Sequence, residues 1–179
     1  MNGPILLLSG VPGTGKSSLA RAWLQTFPRG LHLPIDDLRE LVVSGLAHPS
    51  LTDNPQAIRQ FALARRVAFT AARLYAREGF AVAIDDVLWP HAPDMPSADL
   101  LAGLNVTRVF LAAPLETVLR RNRERSGKPF EPEALEPIIR ALYGAMLPEA
   151  FGVVGWHIVN TEGLNVFQAL KLISTLIKL

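Results

Sequence analysis

The chain has 179 residues, 49% of them hydrophobic, with 18 basic and 16 acidic side chains, a formal net charge of +2 and no cysteine. That length is enough for one well-buried core and short for two, which points to a single domain over residues 1–179. The small basic excess argues against a domain that coats nucleic acid, and the missing cysteines exclude a disulfide framework, a Cys-ligated zinc and a thiol nucleophile. The N-terminal apolar run lacks the lead-in and length of a signal peptide, and no stretch approaches the ~20 apolar residues of a membrane span. A soluble cytoplasmic protein with no membrane partner is expected.

In chain order, PILLLS at 4–9 is a continuous apolar run that stops at glycine, the pattern of a strand buried on both faces. KSSLARAWLQTF follows with Leu19, Trp23, Leu24 and Phe27 at helical spacing. GLHLPID at 30–36 predicts a second strand, and DLRELVVSGL a short helix ending near Gly45. Asp53 or Asn54 is placed to cap a long helix over about 55–78, with Pro55 at its first position and Ile58, Phe61, Ala64, Ala68, Ala72 and Tyr75 on one face. FAVAID at 80–85 is a third strand.

An irregular proline-rich loop and a short helix capped by Ser97 come next. NVTRVFLAA at 105–113 is a fourth strand, and Pro114 opens a helix after it. A further helix runs to about Met146, with Pro137 tolerable only in its first turn. WHIVN at 156–160 is a fifth strand, and Asn165 with Gln168 three residues on opens a closing helix. Alternating strands and helices imply a parallel sheet with helices on both faces, whose ligand crevice lies at the carboxyl ends of the strands.

At the first of those ends, Gly10, Gly15, Lys16 and Ser17 fit G-x-x-x-x-G-K-[ST] between a buried strand and a helix. An ordinary turn needs glycine, but it does not need this spacing. With Val11, Pro12, Gly13, Thr14 and Ser18, the loop turns its backbone amides inward onto phosphate oxygens, and the helix behind it presents its positive end. Lys16 adds a mobile charge for the β and γ phosphates, and the Ser17 hydroxyl is placed to ligate Mg²⁺.

GVPGTGKSSLA, with IDDLR after strand two, IDD after strand three and RRNRER after strand four, resembles the P-loop small-molecule kinases, particularly the chloramphenicol phosphotransferase-like and zeta-toxin-like ATP-binding families. The resemblance covers nearly the whole chain, and its specificity lies in the phosphate loop. It implies an α/β three-layer P-loop NTPase fold with a five-stranded parallel sheet of order 2-3-1-4-5, ATP and Mg²⁺ as cofactors, and γ-phosphoryl transfer to a hydroxyl.

A hydroxyl that accepts a phosphoryl group loses its proton during transfer, and a carboxylate held beside it takes that proton. Asp36, at the rim after strand two, matches the family position of the proposed base, whereas Asp37, three residues before Glu40, reads as an N-cap in a capping box. Asp85 closes the third strand at the Walker B position, where a carboxylate supports Mg²⁺ through a water. Asp86 is placed to orient that water or to reach the acceptor, and which of the two serves the metal stays open.

Arg121 and Arg125 share a helical face where P-loop kinases carry a mobile lid over about 120–130, with Gly127 beside Pro129 as a hinge. The bland alternative is a solvated face with arginines paired to Glu116 or Glu124. Arg39 reads as a group that orients substrate or pairs with a phosphate, or as a surface ion pair, and Trp89 as an acceptor contact or a loop anchor. His48 and His91 read as loop residues. By resemblance, Asn160 and Thr161 lie near adenine.

The expectation is an ATP- and Mg²⁺-dependent phosphotransferase acting on a small hydroxyl-bearing molecule such as an antibiotic or sugar derivative. Alternatives are a nucleoside, nucleotide or 5′-end nucleic-acid kinase, or a nucleotide-dependent switch with a protein partner. The chain has no long basic, aromatic-studded stripe for nucleic acid and no N-K-x-D guanine signature.

Overall fold

The computed structural model describes residues 2–49, 54–90, 98–124 and 132–177. Strands β1 (Ile5–Ser9), β2 (Gly30–Pro34), β3 (Ala81–Asp85), β4 (Val106–Ala112) and β5 (His157–Asn160) form one sheet in the order β2-β3-β1-β4-β5. Every pairing is parallel, as expected. Around it lie α1 (Lys16–Leu24), α2 (Ile35–Glu40), α3 (Pro55–Arg77), α4 (Leu115–Arg123), α5 (Glu136–Ala145), α6 (Pro148–Val153) and α7 (Val166–Leu176).

Two cores explain the oily central strands. Ile5 and Leu7 of β1 join a cluster with residues of α3, α4, α5 and α6, while Leu6 and Leu8 face the other way, into one with α1 and α7. β3 divides likewise, with Val82 and Ile84 on the first side and Ala81 and Ala83 on the second. A strand covered on both faces has no polar side, so its sequence does not alternate. Each Leu or Ile buried this way contributes about 1.5–3 kcal/mol.

Three local expectations are corrected. α2 starts at Ile35, whose side chain is fully buried and anchors the turn, and its N-cap is Pro34 without a side-chain cap. Asp37 is therefore not an N-cap, the capping box with Glu40 is not made, and Asp36 sits in the first helical turn instead of at the end of β2. The helix also ends at Glu40, well before Gly45, because Leu41 and Val43 beyond it are exposed and find no apolar surface to hold further turns.

The buried stripe of α3 is rotated from the one expected. Ala57, Ala64, Arg65, Ala68, Phe69, Ala72 and Ala76 face inward, whereas Ile58 and Tyr75 are exposed. Phe61 packs against the core from its margin. The short helix α6 was not anticipated. Its six residues are too few to show a helical period, and it is held by Phe151, which packs with Phe110 and Trp156.

The capping signals fare better. Asn165 and Gln168 form a reciprocal capping box at α7. Asn54 caps α3, its Oδ1 accepting from the amides of Gln56 and Ala57 at 3.2 Å each, with Pro55 in the first turn. Asp53, the other candidate cap, and Ser97 lie outside the described residues. Replacing Asn54 with Ala orphans those amides and is expected to cost about 1 kcal/mol. Differential scanning calorimetry should show Tm lowered by about 2–4 °C.

Candidate active site

Residues 10–15 carry the chain from β1 into α1. Gly10, Gly13 and Gly15 hold φ of +139°, +93° and +94°, where a side chain is strained. Two of these glycines are also sterically required. A Cβ on Gly10 would lie 2.5 Å from the Leu111 carbonyl oxygen, and one on Gly13 would lie 2.6 Å from that of Val118. Gly15 has open space around it and N-caps α1 with no side-chain hydrogen bond, and no acid occupies the first helical turn. The first-turn amides thus keep their partial positive charge for an incoming anion. The Lys16 ammonium curls over the loop, donating to the carbonyls of Gly10 (2.7 Å) and Val11 (3.2 Å).

The loop forms one wall of a cavity of about 360 Å³. Pro12 through Ser18 line that wall, Asp36, Asp37, Asp85 and Asp86 line the side beneath β2 and β3, and Arg121 and Thr161 line the side toward β4 and β5. Gly10 and Val11 contribute from behind through the carbonyls that hold Lys16.

The adjacent acids after β3 have opposite environments. Asp85 accepts from the Ser17 hydroxyl at Oδ2 (2.7 Å) and from His32 Nε2 at Oδ1. Burial alone would raise its pKa, but the His32 and Ser17 hydrogen bonds, with the charges of His32 and Lys16, outweigh burial and hold it below the ordinary carboxylate value. Asp86 turns instead toward α3, where Arg65 Nε donates to its Oδ2 at 2.6 Å, and its Oδ1 accepts from the Val87 amide at 2.7 Å. Burial dominates there and raises the Asp86 pKa, with the Asp36 charge adding to the rise and Arg65 opposing it.

Asp36 and Asp37 both line the cavity from the first turn of α2. Arg39 is neither a surface ion pair nor a cavity-lining group. Its guanidinium is buried 3.8 Å from the centre of the Phe61 ring and donates to the Ala47 carbonyl. Desolvation there lowers its pKa.

Arg121 reaches across the opposite wall, donating through Nη1 to Thr161 Oγ1 (3.0 Å) and through Nη2 to the Thr161 carbonyl (2.8 Å). The Thr161 hydroxyl touches the carbonyls of Ala112 (3.2 Å) and Thr14 (3.4 Å), which joins this corner to the phosphate loop. Asn160 is not among the lining residues, because its exposed carboxamide accepts from the Glu162 amide at 2.9 Å. Leu164, Asn165 and Val166 line the cavity in its place. Arg123 does pair on the surface, with Glu136 of α5 instead of Glu116 or Glu124. Arg125, Gly127, Pro129 and His91 lie outside the described residues.

Trp89 packs against the core at its margin, in keeping with a loop anchor, and His48 is an exposed loop residue whose carbonyl accepts from Asn54. Sequence reasoning missed His32, Arg65 and the Leu164–Val166 wall. His32 alone carried a signal, being a polar residue inside an otherwise apolar strand run.

A parallel sheet of this order, with a glycine-rich loop feeding a helix and acids at the neighbouring strand ends, defines a P-loop fold. The chain belongs to the AAA domain family, which matches residues 5–141. Solved structures with the same fold include the tunicamycin resistance protein of Deinococcus radiodurans, 19% identical over 99% of this chain and 96% of that one, with a TM-score of 0.62. Shikimate kinase from Bacteroides thetaiotaomicron is 15% identical over 98% and 99% of the two chains, with a TM-score of 0.62. The Mycobacterium tuberculosis APS kinase, solved with AMPPNP and APS, is 21% identical over 99% of each chain, with a TM-score of 0.61. No curated protein matches the chain in sequence. Among the described residues, no helix is long and apolar enough to cross a membrane.

Truncating Arg65 to Met leaves the Asp86 carboxyl buried without its guanidinium, and the expected loss is about 3–5 kcal/mol. Asp86 then rises further, so the folded state holds a proton that the unfolded state has released. Between the ordinary carboxylate pKa and the raised one, stability therefore falls as pH increases. Urea unfolding at pH 5 and pH 8 should show a larger decline for Arg65→Met than for wild type.

Proposed function

We propose that the protein transfers the γ-phosphoryl group of ATP, with Mg²⁺, to a hydroxyl of a small molecule such as an antibiotic or sugar derivative. The narrower kinship with chloramphenicol phosphotransferase-like enzymes belongs to the same proposal. The observation that carries it is the single cavity shared by the phosphate loop, the Ser17–Asp85 pair and Asp36. APS kinase, solved with AMPPNP, offers a precedent for nucleotide in this fold.

The donor set fits Mg²⁺. Ser17 donates its hydroxyl hydrogen to Asp85, which leaves its oxygen lone pairs for a cation, and Asp85 is held ionised. Among the described residues, no cluster of three His, Asp or Glu forms a protein cage, and Mg²⁺ with nucleotide needs none, because phosphates and waters supply most of its ligands. Ser17 and Asp85 would hold the ion, which when bound neutralises charge on the β and γ phosphates. Asp86 also borders the cavity, but its carboxylate is paired with Arg65, which leaves it a structural role.

In this reading the loop amides and Lys16 bind the phosphates, and Lys16 exchanges its carbonyl partners for phosphate oxygens. Asp36 takes the acceptor proton from the β2 side. Arg121 and Arg125 stabilise charge from the lid side, and Thr161 with the Leu164–Val166 wall borders the base.

Calorimetry with ATP and Mg²⁺ should show uptake by wild type and little by Lys16→Ala. ADP release measured with pools of small hydroxyl compounds should rise with one pool. Asp36→Asn should lower that stimulated rate by about 10²–10⁴-fold while ATP uptake is retained. Stimulation by a protein extract alone would replace the kinase reading with that of a nucleotide-dependent switch.

A further inference from the structure

His32 has no part in the reading above, yet it occupies an unusual position. It lies on the face of β2 opposite to Leu31 and Leu33, which pack into the α3 side of the sheet. In register it pairs with Ala83, while Pro34 pairs with Asp85. Ala83 belongs to the core covered by α1 and α7, so His32 points into a layer otherwise made of Leu, Ala, Val, Ile and Trp. Its side chain is only 14% exposed. A polar group in such a layer needs a partner, and it reaches two register positions along the sheet to Asp85 Oδ1.

The two oxygens of Asp85 are thereby divided between two elements. His32 holds Oδ1 from β2, and Ser17 holds Oδ2 from the start of α1. An ionised carboxylate only accepts hydrogen bonds, so Nε2 is the protonated nitrogen of His32. Without that donor, Asp85 has one tether, and the ammonium of Lys16, whose charge already acts on it, offers a competing partner. A carboxylate that swings toward Lys16 would leave Ser17 and the place where it supports the cation.

We propose that His32 is a positioning residue: it locks Asp85 by one oxygen so that the other stays on Ser17, and through that pair it sets the affinity for the divalent cation that accompanies the nucleotide. The role rests on the proposed phosphotransferase reading and concerns binding of the metal–nucleotide complex. It is an outer-shell role, of a kind whose removal elsewhere weakens metal affinity about 10–100-fold.

The test uses the full chain, Mn²⁺ as the probe and AMPPNP as the nucleotide. His32→Leu supplies an apolar side chain suited to this layer, and His32→Gln restores an N–H near the position of Nε2. Free Mn²⁺ is followed by electron paramagnetic resonance, and AMPPNP uptake in EDTA by calorimetry. The expected result is a loss of Mn²⁺ affinity of about 10–100-fold in His32→Leu, unchanged metal-free AMPPNP affinity, and recovery of most of the Mn²⁺ affinity in His32→Gln. Wild-type Mn²⁺ affinity in His32→Leu, or equal weakness in the Leu and Gln variants, overturns the proposal and leaves the kinase reading standing. Failure of wild type to take up Mn²⁺ with AMPPNP overturns the kinase reading and the role of His32 with it.

Discussion

The site depends on a contact between backbones. Gly10 lies against the carbonyl of Leu111 in β4, and Gly13 lies against the carbonyl of Val118 in α4, each so closely that a single carbon would not fit. Close packing there fixes the loop from behind. Its concave side is left to the first turn of α1, which brings no acid and no side-chain cap of its own. The loop is therefore shaped before any anion arrives, and little ordering entropy remains to be lost on binding.

A second consequence follows from strand geometry. Successive residues at the end of a strand face opposite layers. Asp85 and Asp86 obey that rule at the end of β3, one turning to the α1 layer and the other to α3. Although both acids border the same cavity, their carboxylates take different partners, and the doublet becomes one carboxylate held ionised by His32 and Ser17 and one whose pKa is raised by burial. The unfavourable burial of Asp86 is opposed in part by Arg65, which explains why an arginine occupies the inner face of α3 among alanines.

The strands, the phosphate loop and the helix caps at Asn54 and Asn165 were legible in the sequence because each depends on local chemistry, whereas the order of the strands in the sheet came only from the family resemblance. Glycine spacing, an uninterrupted apolar run and an Asn three residues before Gln act within one turn of chain. What escaped depends on contacts distant in sequence. Arg39 was left open between a site role and a surface ion pair because nothing nearby reveals the Phe61 ring that covers it. Asp37 looked like a cap because the sequence does not show that Ile35 is buried and starts the helix early. His32 and Asp85 are 53 residues apart, and only the β2–β3 register brings them together.

That register also bears on how the two ends of the cavity cooperate. On the β2 side, the carboxylate is tied to α1 through Ser17. On the β5 side, Arg121 of α4 is tied through Thr161 to the Thr14 carbonyl of the loop. The loop is gripped from both flanks, and α4 contributes twice, through Val118 beneath Gly13 and Arg121 beside Thr161. Within its described residues, α4 is thus part of the cavity wall. A displacement of this helix large enough to uncover the cavity would have to break the Arg121–Thr161 bonds and remove the carbonyl that Gly13 rests on, so the geometry couples any opening on that flank to the conformation of the phosphate loop.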